Sequence, residues 1–288
     1  MLGLSAAYVV AEVVGGLLTG SLALFADAGH TVSDVGALAV SLLALWIAQQ
    51  PASARHTFGN TRAEILAALV QGVALLAVAI VIIVEAISRL GTPTEVGGVG
   101  MMVVASGGVA INAFGLWLLH HGQQENLNIR GAWLHVASDG LGSLGVIIAG
   151  FAIWAWGLWW ADPVASLAIS VLITFAAWQL LREVVDILME SAPAHLDVKQ
   201  IRAALESTAG VGEVHDLHVW TIGSGEISLS SHIVGSPEAE VSDLLSRLQA
   251  RLAEDFEIRH STLQIEPHGT ADEDCAASCE PAAVSATR

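Results

Sequence analysis

The chain has 288 residues, 54% of them hydrophobic and only 14% charged, with a mean hydropathy of +0.63. That balance excludes an ordinary soluble globular domain, and a net charge of -17 argues against a nucleic-acid partner while suiting cations. Residues 1–188 hold 11 acidic and 5 basic side chains, a net of -6, and residues 189–288 hold 17 and 6, a net of -11, so a membrane part precedes an acidic, soluble part.

Crossing a bilayer takes about 20 apolar residues. Six such segments are predicted, over 2–24, 26–49, 63–88, 97–120, 132–156 and 163–187. Loop chemistry separates the later ones at Pro51, Gly59-Asn60, Pro93, Gly122 to Gln124 and Asp162-Pro163. The first segment is too long and too weakly cationic at its start for a cleaved leader, and reads as a first membrane helix. An even count puts both termini on one side. Arg55, Arg62, Arg130 and Arg182 fall on that side and only Arg89 falls opposite, which places both termini in the cytoplasm of a multi-pass protein of the cell (inner) membrane. Small residues, such as Gly15-Gly16, Gly107-Gly108 and the Gly140, Gly142, Gly145 cluster, permit close helix approach. Trp154, Trp156, Trp159 and Trp160 read as an interfacial aromatic belt.

From His195 the pattern changes. A helix over 198–207, strands over 211–222 and 226–234, a helix over 239–255 and a strand over 261–266 are predicted. This α-β-β-α-β order is a split ferredoxin-like arrangement without its first strand. The remainder lacks apolar periodicity and is expected to be flexible. Its Cys275 and Cys279 are the two cysteines of the chain, which is no disulfide framework and suits a reducing compartment. The expected organisation is a six-helix transmembrane domain over 1–190, a cytosolic α+β domain over 191–268 and an acidic tail over 269–288.

The chemistry is concentrated in two repeats. His30 and Asp34 are four residues apart on the second segment, His135 and Asp139 four apart on the fifth, and each pair precedes an uncharged run. On a helix each pair shares one face. Ionisable groups at membrane depth are costly and mark substrate or proton pathways. Two His and two Asp make the N2O2 donor set of a tetrahedral Zn(II), and suit Zn(II) or Co(II) better than Mn(II). Asp27, one turn before His30, reads either as a cation attractor at the membrane edge or as a helix cap. Glu12 and Glu85, lone acids in apolar helices, read as proton relays or as structural hydrogen-bonding groups. His120-His121 reads as interfacial polarity.

These stretches resemble the cation diffusion facilitator family of metal-efflux transporters, which includes zinc transporters. The likeness rests on Glu12 to Leu24 leading into Asp27, His30 and Asp34, on Phe58 to Glu64, and on Asn128 to Asp139. It continues through Asp162-Pro163, His215 to Trp220 and Thr262 to Glu266. The resemblance implies a homodimer in the lipid bilayer, six helices per protomer, a cytosolic ferredoxin-like domain, and proton-coupled export of a divalent metal. It makes His30, Asp34, His135 and Asp139 the transport site; relatives with Asp in place of His30 accept larger or softer ions. In the soluble part His215, His218, His232, His260, Glu266, His268, Cys275 and Cys279 could gather around a metal. The resemblance puts regulatory zinc at the positions of His215, His232 and Glu266, with His218, His260, Cys275 and Cys279 as further candidates. Two positions depart from the pattern: Gln264 and Asn60 stand where some relatives have His, so a metal beside His56 is not expected.

The rival classes are a metal-dependent membrane hydrolase and a membrane-embedded metal sensor. No His-Glu-x-x-His helix is present, and four protein ligands leave no open position for an activated water. An antiporter is therefore the expectation, with Zn(II) and protons as its exchanged ions and no enzymatic activity.

Overall fold

The computed structural model describes residues 2–92, 94–120, 127–223, 225–238 and 240–267. Six long helices come first: α1 (Leu2–Thr19), α2 (Leu22–Ala48), α3 (Ala63–Gly91), α4 (Gly98–Leu119), α5 (Leu127–Trp156) and α6 (Ala161–Leu188). There follow α7 (Val198–Glu206), β1 (Val211–Gly223), β2 (Glu226–Gly235), α8 (Val241–Phe256) and β3 (His260–Glu266). Helices α2 to α6 are long and apolar enough to span a membrane, and α1, at 18 residues, is a shorter sixth. Contacts divide the chain into two compact units, 1–44 with 67–182, and 45–66 with 183–288.

In the first unit the interior mixes small residues, among them Ala23, Ala79, Ala105 and Ala177, with Leu24, Met101, Val146 and Ile173, while Leu18, Val81, Leu141 and Phe175 face outward. Large apolar side chains on the outside suit a lipid solvent, and the buried alanines let the helices approach closely. The α4/α5 crossing shows it: a Cβ on Gly98 would sit 2.6 Å from the Gly150 carbonyl oxygen.

The first boundary departs from the sequence reading. Apolar residues run on to Leu24, yet α1 ends at Thr19 and α2 has begun by Leu22. Gly20 takes φ +72°, a left-handed turn that glycine adopts without a Cβ clash. The Ser21 hydroxyl accepts from Leu24 N at 3.2 Å, an N-cap bond. Asp162, fully buried at the start of α6, accepts from Ser21 Oγ at 2.6 Å, Leu22 N at 2.8 Å and Ala23 N at 3.1 Å. A residue read as loop chemistry thus satisfies the free amide groups at the start of α2. It fixes the helix that carries Asp27, His30 and Asp34.

In the second unit, β1 pairs antiparallel with β2, and β2 parallel with β3, in the order β1-β2-β3. Helices α7 and α8 bury Ile201, Leu205, Leu244, Leu248 and Leu252 against Val214, Val219, Leu229 and Ile233 of the sheet. Asp197 caps α7 by accepting from Lys199 N at 2.9 Å. This is the expected α-β-β-α-β order, with one face of the sheet under helices and alternate side chains on the other. The second connection belongs to the same unit. Arg62 Nη2 donates to Glu190 at 3.0 Å, the Phe58 and His260 rings meet at 5.7 Å, and Gly223 lies against Thr61.

Candidate metal centre

Helical spacing alone puts His30 above Asp34 on α2 and His135 above Asp139 on α5. Packing of the two helices then interleaves the pairs. His30 Nε2 lies 3.2 Å from Asp139 and 3.7 Å from Asp34; His135 Nε2 lies 3.3 Å from Asp34 and 3.6 Å from Asp139. Nitrogen and oxygen alternate around a ring, and each His reaches a carboxylate of the other helix more closely than its own. The imidazoles are 6.0 Å apart at 71°. A tetrahedral Zn(II) with ligands at about 2.0–2.1 Å has donor atoms about 3.3–3.4 Å apart. The four nitrogen-oxygen edges bracket that value; His30, Asp34 and Asp139 bring one ligand atom each within 4.8 Å of one another, and His135 stands beside them against Asp34. His135 is the most exposed of the set, at 51% of its side chain against 22% for His30.

The four do not stand alone. His135, Asp34 and Asp139 line a cavity of about 550 Å³ together with Tyr8, Glu12, Asp27, Thr31, Asn112 and Ser143. Asp27 is not a cap. It lies inside α2, 5% exposed, and accepts from Ser143 Oγ at 3.1 Å. The start of α2 is held by Ser21 and Asp162 instead. Glu12 is fully buried in this cavity, whereas Glu85 pairs with Arg89 one turn away at 2.9 Å.

On the sheet, register brings a second group together. His215 on β1 pairs with His232 on β2, and Val234 with Glu266 on β3, so all three project from the face opposite the helices. His215 Nε2 is 3.4 Å from Glu266 Oε2, His232 Nδ1 is 2.9 Å from Glu266 Oε1, and the two rings are 5.3 Å apart. These donor atoms are buried and close, yet His215 Nε2, His232 Nδ1 and Glu266 Oε2 complete no well-directed hydrogen bond. Atoms aimed at a common point rather than at one another are what a bound cation requires. Gln264 occupies the register position beside His232 and donates to Glu266 at 3.0 Å.

The other candidates separate. His218 is exposed and pairs with Asp216 at 2.8 Å. His260 begins β3 and packs on Phe58, six residues and about 20 Å of extended strand from Glu266, so it is not part of the group. His56 lies in the exposed second connection, and His120 follows the end of α4. His121, His268, Cys275 and Cys279 lie outside the described residues.

Asp216 was not anticipated. It sits in a bulge with φ 50°, where β1 carries one residue more than β2 between His215 and His218. Its carboxylate reaches both His218 and, at 3.8 Å, His232. The signal was available in His215-Asp216-Leu217-His218: strict alternation would put the two His on opposite faces, and an intervening Asp tolerates the bulge.

The chain matches two family profiles, one described as the cation efflux transmembrane domain over residues 1–189, the other as the cation efflux protein cytoplasmic domain over residues 193–268. It is 42% identical over 276 residues to the zinc transporter ZitB of Escherichia coli, covering 95% of this chain and 88% of that one. It is also 42% identical over 264 residues to a cadmium, cobalt and zinc/H(+)-K(+) antiporter of Bacillus velezensis, covering 90% and 84%. Among solved structures it is similar to the metal-bound C-terminal domain of the CzcD transporter from Cupriavidus metallidurans, at 35% identity, covering 25% of this chain and 99% of that one, with a TM-score of 0.24.

Proposed function

Since the chain belongs to the cation efflux family, multi-pass membrane transporters of metal cations and not enzymes, we propose that it exports Zn(II) in exchange for protons through His30, Asp34, His135 and Asp139. The observation that carries the reading is the alternating ring of nitrogen and oxygen with edges of 3.2–3.7 Å. Those edges and that donor set suit a tetrahedral Zn(II), with His30, Asp34 and Asp139 already gathered and His135 completing the set. The names of the relatives, zinc in one and zinc, cadmium and cobalt in the other, favour the same class of ion.

The ring also suggests how the ion leaves. Imidazole binds metal only when neutral and titrates near neutral pH, so protons and Zn(II) compete for the same nitrogen atoms. The two carboxylates balance the ion's two charges. A site shared by two helices is dismantled when they slide or rock, as alternating access requires. Competition fixes the sign: lowering pH weakens Zn(II) binding and raising it strengthens binding.

In the second unit, His215, His232 and Glu266 would hold a regulatory Zn(II), with the negative charge of Asp216 behind His232. The 1–190 and 191–268 division, cytoplasmic termini and a homodimer paired through the acidic soluble domain complete the proposal. In such a dimer, charge on each domain opposes close pairing until Zn(II) reduces it.

Purified protein in sealed vesicles with a pH dye inside tests the main reading. Zn(II) uptake accompanied by opposite proton movement, and accelerated by an imposed pH gradient, is expected. Uptake indifferent to the gradient removes the proton coupling, and no uptake of any divalent metal removes the transport site.

A further inference from the structure

The cavity beside the His/Asp ring contains a second group of acids that the ring does not use. Glu12 of α1 is fully buried, with Asp27, Tyr8 and Thr31 nearest its carboxylate, and neither of its oxygens completes a well-directed hydrogen bond. The neighbouring hydroxyls cannot supply one while they keep their observed bonds. Tyr8 donates its hydrogen to the Val104 carbonyl at 3.2 Å, and Thr31 donates to the Asp27 carbonyl at 3.0 Å. Both therefore present lone pairs to Glu12. Ser143 donates to the other acid, Asp27, at 3.1 Å. Among the described residues no Lys or Arg lines the cavity; its titratable groups are Tyr8 and Glu12 from α1, Asp27 and Asp34 from α2, and His135 and Asp139 from α5, and His30 of α2 also faces Asp27. Acceptors facing acceptors in a buried place repel unless a positive charge lies between them.

Packing holds the group in this form. A Cβ on Gly108 of α4 would fall 2.3 Å from the Tyr8 hydroxyl and 2.7 Å from Ser143 Oγ, so this glycine admits both hydroxyls. Spacing sets the group next to the ring. Asp27 is one turn before His30 on α2, and Ser143 one turn after Asp139 on α5.

We propose that Glu12 and Asp27 form an all-oxygen site for one monovalent cation, a proton or an alkali ion, which is expelled when a divalent metal occupies the ring. The inference rests on the transport reading above and adds to it a separate place for the counter-charge. Two carboxylates with hydroxyl oxygens and no nitrogen suit a hard cation and not Zn(II). Cations held one turn apart in a weakly polar interior oppose each other, so the two sites load in alternation. Binding free energies then couple reciprocally.

Calorimetric titration of the full-length protein with Zn(II) tests this, run in buffers of different ionisation enthalpy and with either potassium or choline as the background cation. If the site holds a proton, wild type releases about one more proton per protomer on binding Zn(II) than Glu12→Gln or Asp27→Asn. If it holds an alkali ion, replacing choline by potassium weakens wild-type Zn(II) binding roughly tenfold and leaves both variants unchanged. The two variants are read separately, so misfolding of one, seen by thermal unfolding, leaves the other decisive. A folded variant that binds Zn(II) with wild-type proton release and wild-type potassium dependence overturns the second site and leaves the ring untouched. Failure of wild type to bind Zn(II) at the ring, checked with Asp34→Ala, overturns the transport reading and this one with it.

Discussion

The membrane ring and the sheet triad use the same donors, imidazole nitrogen and carboxylate oxygen, on two different scaffolds. The ring is shared by two helices, and its contacts across the helix interface are closer than those along either helix: His30 to Asp139 is 3.2 Å, His30 to Asp34 is 3.7 Å. Its geometry exists only in one mutual position of α2 and α5. The triad stands on hydrogen-bonded strands whose register fixes His215 opposite His232 and Glu266 two residues beyond Gln264. Strands in register do not slide without breaking their ladder. One arrangement is suited to being assembled and dismantled, the other to holding.

The largest expected effect breaks the ring and spares the triad. Asp34→Ala or Asp139→Ala removes a carboxylate that faces both imidazoles, leaving too little charge and too few donors for the ion. Zn(II) flux in vesicles falls by about 100-fold or more, while one Zn(II) per protomer still binds at the soluble unit. Loss of both binding events in either variant would mean the two centres are not independent.

Next in size is a change of selectivity. His30→Asp turns an N2O2 ring into NO3, more anionic and, with a carboxylate able to bind through one or both oxygens, roomier for a larger ion, so metal is retained but choice is relaxed. The ratio of Cd(II) to Zn(II) flux rises by roughly tenfold, as competition assays with both ions would measure. An unchanged ratio would remove His30 as a determinant of selectivity.

How far these centres were legible in the sequence differs by scaffold. The His-x-x-x-Asp pairs were readable because four residues on a helix share a face. Their interleaving was not, since it depends on how α2 meets α5. The break at Gly20 escaped because apolar residues continue through it, and because the carboxylate that caps α2 comes from Asp162, 140 positions from Leu22. Glu12 was visible only as a lone acid; that it faces Asp27 depends on how the bundle sets α1 beside α2. On the sheet, residue type was a poor guide to membership. His260 has the right chemistry at the wrong end of β3. Asp216 has a position that alternation conceals, because the bulge shifts the face of everything after it.

A smaller effect separates holding from transport. His215→Ala combined with His232→Ala removes two of the three triad donors from an outer sheet face. The apolar core beneath, Leu229, Ile233 and Leu248 among others, is untouched. Zn(II) bound per protomer falls by about one, and the dependence of inter-protomer distance on Zn(II) is lost, while flux at saturating Zn(II) stays within about threefold. Distances by paired spin labels would show this. A Zn(II)-dependent distance change surviving in the double variant would take regulation away from the triad.

The smallest effect concerns Asp216. Its carboxylate stands 3.8 Å from His232 Nε2, on the opposite ring atom from the Nδ1 that faces Glu266. At that distance the carboxylate acts on the ligating imidazole through its negative charge, which favours a bound cation. Asp216→Asn preserves the bulge, because Asn also tolerates φ near +50°, but it removes the negative charge. Zn(II) affinity at the soluble unit falls by about tenfold, with unfolding midpoint and flux unchanged. Asp216→Ala strains the same φ, and its unfolding midpoint drops as well. If Asn weakens Zn(II) as little as a substitution at exposed His218 does, Asp216 serves the bulge alone, and the triad holds its ion by strand register and three donors.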